Sequence, residues 1–197
     1  MDVRPPGHDG DHDLPRLGLP GGIHPALAGL LGSWRGTTEF ASGPWGPART
    51  VDAEVTYRRA AGGFAVVQSY RHVEADGSHF EGHGMFTLDP DHSDVFWYYV
   101  DSTGASPGTP TRCTWHDGVL RVERHAGAGW TRHSISLRHA TPPTAGSPDV
   151  PVSGEALLHV TELRIASLSD ASDASTAGAN GKRPAYALVM TSTFRRS

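Results

Sequence analysis

After Ser33 the apolar residues of this chain recur at every second position, and that period constrains its fold more than any other feature. Val51, Ala53, Val55 and Tyr57 alternate with Asp52, Glu54, Thr56 and Arg58, the mark of a strand with one buried and one wet face. Further strands are read over Trp34–Phe40, Phe64–Val73, His79–Leu88, Val95–Asp101, Thr111–Trp115, Val119–Arg124, Trp130–Leu137, Glu155–Ser167 and Ala185–Arg196. Turn signals separate nearly all of them: Ala61-Gly62-Gly63, Asp76-Gly77, Asp89-Pro90, Asp117-Gly118 and Gly127-Ala128-Gly129. With 24 Gly and 15 Pro, residues that do not belong in helix interiors, a helical bundle is excluded. Only Ile23–Leu31, with Ile23, Leu27, Leu30 and Leu31 at helical spacing and Gly32 behind them, predicts a short helix. An all-β antiparallel meander of roughly ten strands hides its edges by closing into an up-and-down barrel. A β-sandwich is the competing architecture.

At 197 residues the chain has the size of one domain and buries enough surface for a core without disulfide or metal. Residues 1–22, rich in Pro, Gly and Asp, predict a loosely ordered tail, and residues 23–197 a single barrel domain. Long connections are expected near 138–153 and 168–184, and their composition favours flexibility. Within the tail, His8-Asp9-Gly10-Asp11-His12-Asp13 gathers metal-ligating side chains, but no rigid element fixes them, and a solvated acidic tail is the plainer reading. The formal net charge of -4 leaves no excess of Lys and Arg for nucleic acid or an anionic membrane. No secretory signal or membrane-spanning stretch is read, and the lone Cys113 excludes an internal disulfide framework and Cys-rich zinc patterns. The expected location is cytoplasmic, with a homodimer left open.

Gly32-Ser33-Trp34, preceded by a short helix, resembles the calycin superfamily, which implies a Trp that closes the barrel floor under an Arg from the last strand. Phe194-Arg195-Arg196 offers that Arg, and guanidinium stacks well on indole. Gly43-Pro44-Trp45-Gly46-Pro47, Tyr57, Gly62-Gly63-Phe64, Val67-Gln68-Ser69-Tyr70, Phe80-Glu81-Gly82-His83-Gly84 and Asp101-Ser102-Thr103-Gly104 resemble the bacterial lipocalin-like family catalogued as domain of unknown function 1579. The resemblance runs from about His24 to Trp130 and resumes at Thr193-Phe194-Arg195-Arg196. It implies a small barrel with an internal cavity and brings no reaction with it.

A barrel of this size either fills its interior or holds one small molecule. The expected polar lining is Gln68, Tyr70, His83, Asp101 and Trp115, with Trp97 and Tyr99 as an aromatic wall for a mostly apolar ligand. His83, flanked by two glycines, and Asp101 are the candidate catalytic pair for an isomerase or hydratase. The bland alternatives are a buried structural imidazole, an Asp that caps its turn, and aromatic rings that are ordinary core. More distantly, nitrobindin-type barrels bind haem through a His on a late strand, which makes His159 the candidate haem ligand by position; a core His on an apolar face is the alternative. No other cofactor is implied. Of the twelve His, only His24, His83 and His159 are expected to be buried. A filled barrel with a structural or oligomerising role is the remaining reading.

Overall fold

The computed structural model describes residues 24–89, 94–105, 108–126, 129–139, 155–165 and 186–197. The expected tail with its His8–Asp13 tract, the connection over 168–184 and most of that over 138–153 lie outside the described residues. A four-residue helix α1 (Pro25–Ala28) leads into ten strands: β1 (Gly32–Phe40), β2 (Arg49–Ala60), β3 (Ala65–Val73), β4 (His79–Asp89), β5 (Asp94–Asp101), β6 (Thr111–His116), β7 (Val119–Ala126), β8 (Gly129–His139), β9 (Glu155–Ile165) and β10 (Ala187–Arg196). Each strand pairs antiparallel with its neighbours in sequence, and β10 returns to β1, so the sheet is a closed barrel. No helix among the described residues is long and apolar enough to cross a membrane.

Alternation decides which side chains fill the interior. On β2, Val51, Ala53, Val55 and Tyr57 are buried and the residues between them are not, as the sequence period requires. Hairpin turns at Gly62, Gly77 and Gly118 take positive φ, the conformation glycine enters without steric cost. His24 caps α1 by accepting the Ala26 N–H on Nδ1, and α1 lays Leu27 and Leu30 over one end of the barrel. Below them Trp34, Phe86, Leu120 and Phe194 form a dry core. Trp34 donates from Nε1 to the Leu30 carbonyl at 2.8 Å, and the Arg196 guanidinium carbon stands 4.4 Å from the Trp34 ring centroid. Arg196 also donates to the Leu31 and Gly29 carbonyls, at 2.6 and 3.1 Å. Of the two arginines expected for this stack, Arg196 is the one that makes it.

Candidate functional site

Away from α1 the interior turns polar, because the inward positions of β1, β3, β7, β8, β9 and β10 there carry hydroxyls, imidazoles, an amide and a guanidinium. Two groups of side chains result, one along β3 and one facing it from β5, β7, β8 and β9.

The first group is a chain of hydrogen bonds. Period two puts Tyr70 and His72 on the inner face of β3 and Glu74 on the same side just beyond its end. Tyr70 Oη lies 2.9 Å from His72 Nδ1, and His72 Nε2 lies 3.2 Å from Glu74 Oε1. Glu74 also receives Arg49 Nε at 3.0 Å and Nη2 at 2.8 Å. At the inner end Tyr70 Oη meets Thr38 Oγ1 at 2.9 Å, and Thr38 meets Ser192 Oγ at 2.8 Å. The Arg49 hydrogen bonds hold the Glu74 carboxyl below its ordinary range, and burial pushes the Tyr70 phenol up to about 12. Desolvation lowers His72 despite the pull of Glu74. At neutral pH the carboxylate only accepts, so His72 donates from Nε2 and accepts the Tyr70 hydroxyl on Nδ1. Thr38 then donates to Tyr70, and Ser192 to Thr38. Every link is satisfied by its neighbour, so this chain stiffens the wall and has no group left over for a ligand.

The second group is not satisfied. Trp97 and Tyr99 stand on the inner face of β5 with ring centroids 4.9 Å apart. The His133 ring meets Trp97 edge-on at 4.9 Å, and His133 Nδ1 lies 3.2 Å from both His159 Nε2 and Thr161 Oγ1. Gln68, from β3, donates from Nε2 to Tyr57 Oη at 3.2 Å. Gln68 Oε1, Trp97 Nε1 and His133 Nε2 are buried with no hydrogen-bond partner among the described residues. Gly82 and Gly84 explain how these groups come so close. A Cβ on Gly84 would overlap Trp97 Nε1 and stand 2.6 Å from Gln68 Oε1, and one on Gly82 would overlap the Tyr99 hydroxyl. The close approach that flanking glycines imply is therefore made by side chains of β3 and β5.

Both imidazoles of the pair are neutral. Burial lowers His159 from 6.5 to about 4, and burial with the neighbouring His159 and Arg124 holds His133 well below the ordinary imidazole range. Histidines of the unfolded chain take up protons below about pH 6.5, whereas these two stay neutral in the fold. The unfolded state then binds more protons, so stability falls as pH drops from 6.5 toward 4, by up to about 1.4 kcal/mol per pH unit for each imidazole. Urea midpoints measured across that range should fall steeply, and less steeply in His159→Leu. A flat profile would contradict the neutral burial of the pair.

The expected site residues divide between these surroundings. Gln68, Tyr70, Trp97 and Tyr99 face the interior, but Tyr70 belongs to the satisfied chain. His83 does not face inward: β4 turns it to the outer surface, exposed, 3.2 Å from Ser69 Oγ. Asp101 lies on the opposite face and accepts the backbone N–H and hydroxyl of Thr103 on Oδ1, so it caps its turn and forms no dyad with His83. Trp115 is 44% exposed and lies at the α1 end beside His24 and Cys113, away from the other expected lining residues. Among the described residues the buried histidines are His72, His133 and His159, with His24 half-buried. Strand alternation carries both His72, near the end of β3, and His133, in the middle of β8, inward.

His159, the position expected for a haem ligand, has Nε2 engaged by His133, and His133 is packed against the Trp97 ring. A macrocycle on His159 would have to break that bond and displace His133, so these residues do not fit a haem as they stand. Among the described residues no cluster of three or more His, Cys, Asp or Glu side chains is placed to hold a metal ion. The sequence reading missed Thr38, His72, Arg124, His133 and Ser192. The signal for His72 was present, since placing Gln68 and Tyr70 inside obliges His72 to follow.

Residues 19–110 match the model of a family described as a protein of unknown function (DUF1579). That match ends short of Trp130, where the main stretch of the sequence resemblance ends, and does not take in Thr193-Phe194-Arg195-Arg196. Among solved structures the chain is similar to the crystal structure of Rv2717c from M. tuberculosis, at 14% identity over 89% of this chain and 99% of that one, with a TM-score of 0.47. No curated protein gives a match.

Proposed function

We propose that the protein binds one small, mostly apolar molecule inside the barrel, against Trp97 and Tyr99 at the end away from α1. The observation that carries this reading is the gathering of Gln68 Oε1, Trp97 Nε1 and His133 Nε2, buried and unpartnered, on one aromatic inner surface. Folded proteins leave few such atoms, and each costs about 1–3 kcal/mol. A few convergent polar groups among aromatic rings is also the make-up of a small-molecule pocket. The fully bonded chain from Ser192 to Arg49 gives that surface a rigid wall opposite. The neutral fluorophore N-phenyl-1-naphthylamine should bind saturably at one site per chain, and denaturing extraction of freshly purified protein should release an apolar compound detectable by mass spectrometry. A barrel that only packs its interior would give neither result.

A further inference from the structure

Arg124 stands on the inner face of β7, in step with the buried Leu120 and Val122. Its guanidinium carbon is 5.0 Å from the Tyr99 ring centroid and 5.6 Å from that of Trp97. Arg49, Arg132 and Arg196 meet carboxylates, those of Glu74, Glu162 and Glu155, and Arg164, whose Nε is buried and unpartnered, lies over Trp130 and Tyr186 on the face of β9 opposite the buried Leu157, His159 and Thr161. Arg124 has no carboxylate partner among the described residues, and its Nε is buried and unpartnered. Asp101, the carboxylate whose charge acts on Tyr99, is turned to Thr103.

A guanidinium does not lose its proton inside a protein, so its charge is not removed by titration. The aromatic faces offset part of the desolvation by cation–π attraction. They leave the N–H of Nε without an acceptor. A further indole N–H, that of Trp97, is in the same position nearby: Trp97 is 2% exposed and its Nε1 is also unpartnered. Both groups are fixed donors, and their assignment does not depend on a tautomer or an amide flip.

We infer that the bound molecule is an organic anion, with an apolar body against Trp97 and Tyr99 and a carboxylate-like headgroup on Arg124. This rests on the binding function proposed above and adds the class of ligand. One unpaired guanidinium matches one negative charge, and a planar oxyanion satisfies its fork better than a neutral acceptor does.

The test compares two fluorophores with one body: 8-anilinonaphthalene-1-sulfonate, an anion, and neutral N-phenyl-1-naphthylamine. Wild-type protein should bind the sulfonate about tenfold more tightly or better, the range of a charge-assisted hydrogen bond. Arg124→Met should lose that preference while keeping its affinity for the neutral probe. Arg124→Lys, which keeps the charge without the fork, should retain part of it. Should Arg124→Met fail to fold, the wild-type comparison and Arg124→Lys still decide. Equal wild-type affinities for the two probes, or an unchanged preference in Arg124→Met, would overturn the anion and leave the binding function standing. Binding of neither probe would overturn the binding function itself.

Discussion

Gly36→Val is expected to keep the barrel from closing, with a loss above about 3 kcal/mol, a large share of the 5–15 kcal/mol that stabilises an ordinary domain. Gly36 pairs with Phe194 across the seam between β1 and β10. A Cβ there would overlap the Thr193 carbonyl oxygen and stand 2.8 Å from Phe194 Cα. These are backbone atoms, so no side-chain rotation relieves the clash, and one strand has to leave the other. The Thr38–Ser192 hydrogen bond, two residues further along the same seam, would go with it. The readout is a sharply lower urea midpoint or protein recovered only as aggregate. An unfolding free energy within about 1 kcal/mol of wild type would mean that the seam repacks at little cost. Gly82 offers the contrast, since a Cβ there meets the mobile end of the Tyr99 side chain and no backbone.

Trp34→Ala should cost about 3–5 kcal/mol, the usual range for deleting a fully buried indole. Trp34 has no exposed surface, and it joins three parts of the chain: the Leu30 carbonyl behind α1, the floor of the core, and Arg196 at the end of β10. Loss of the ring leaves a cavity under Leu27 and Leu30 and frees Arg196 from its stack, so α1 loses its seat. Trp34→Phe, which keeps a ring and drops the N–H, should lose less than half as much. Thermal and urea unfolding followed by circular dichroism separates the two variants. A Trp34→Ala protein as stable as wild type would show that α1 does not close this end.

The strands were legible because Gly- and Asp-marked turns separate nearly all of them and because alternation is strict where one face is wet. Val51 to Tyr57 is the example in which the apolar set points one way without ambiguity. The site was less legible because polarity misleads where both faces are mixed. His83 drew attention through its flanking glycines, yet the glycines are inside and the histidine between them must point out. His133 looked like a surface residue near a turn, but it keeps step with Ile135, and that step takes it under Trp97. Arg124 was invisible for another reason: an arginine at a strand end is ordinarily solvated, and only closure of the barrel turns it over two aromatic rings.

The pairing of β1 with β10 has a further consequence for the order of folding. Nine of the ten strand junctions join strands adjacent in sequence and can form hairpin by hairpin. The last one brings Thr38 to Ser192 across nearly the whole chain and cannot form until the others have curved the sheet. Until then β1 and β10 are two unprotected sheet edges, able to add strands from another molecule. The native barrel has no such edges, so the chain's exposure to strand-to-strand association belongs to the time it spends folding and ends when the circle closes.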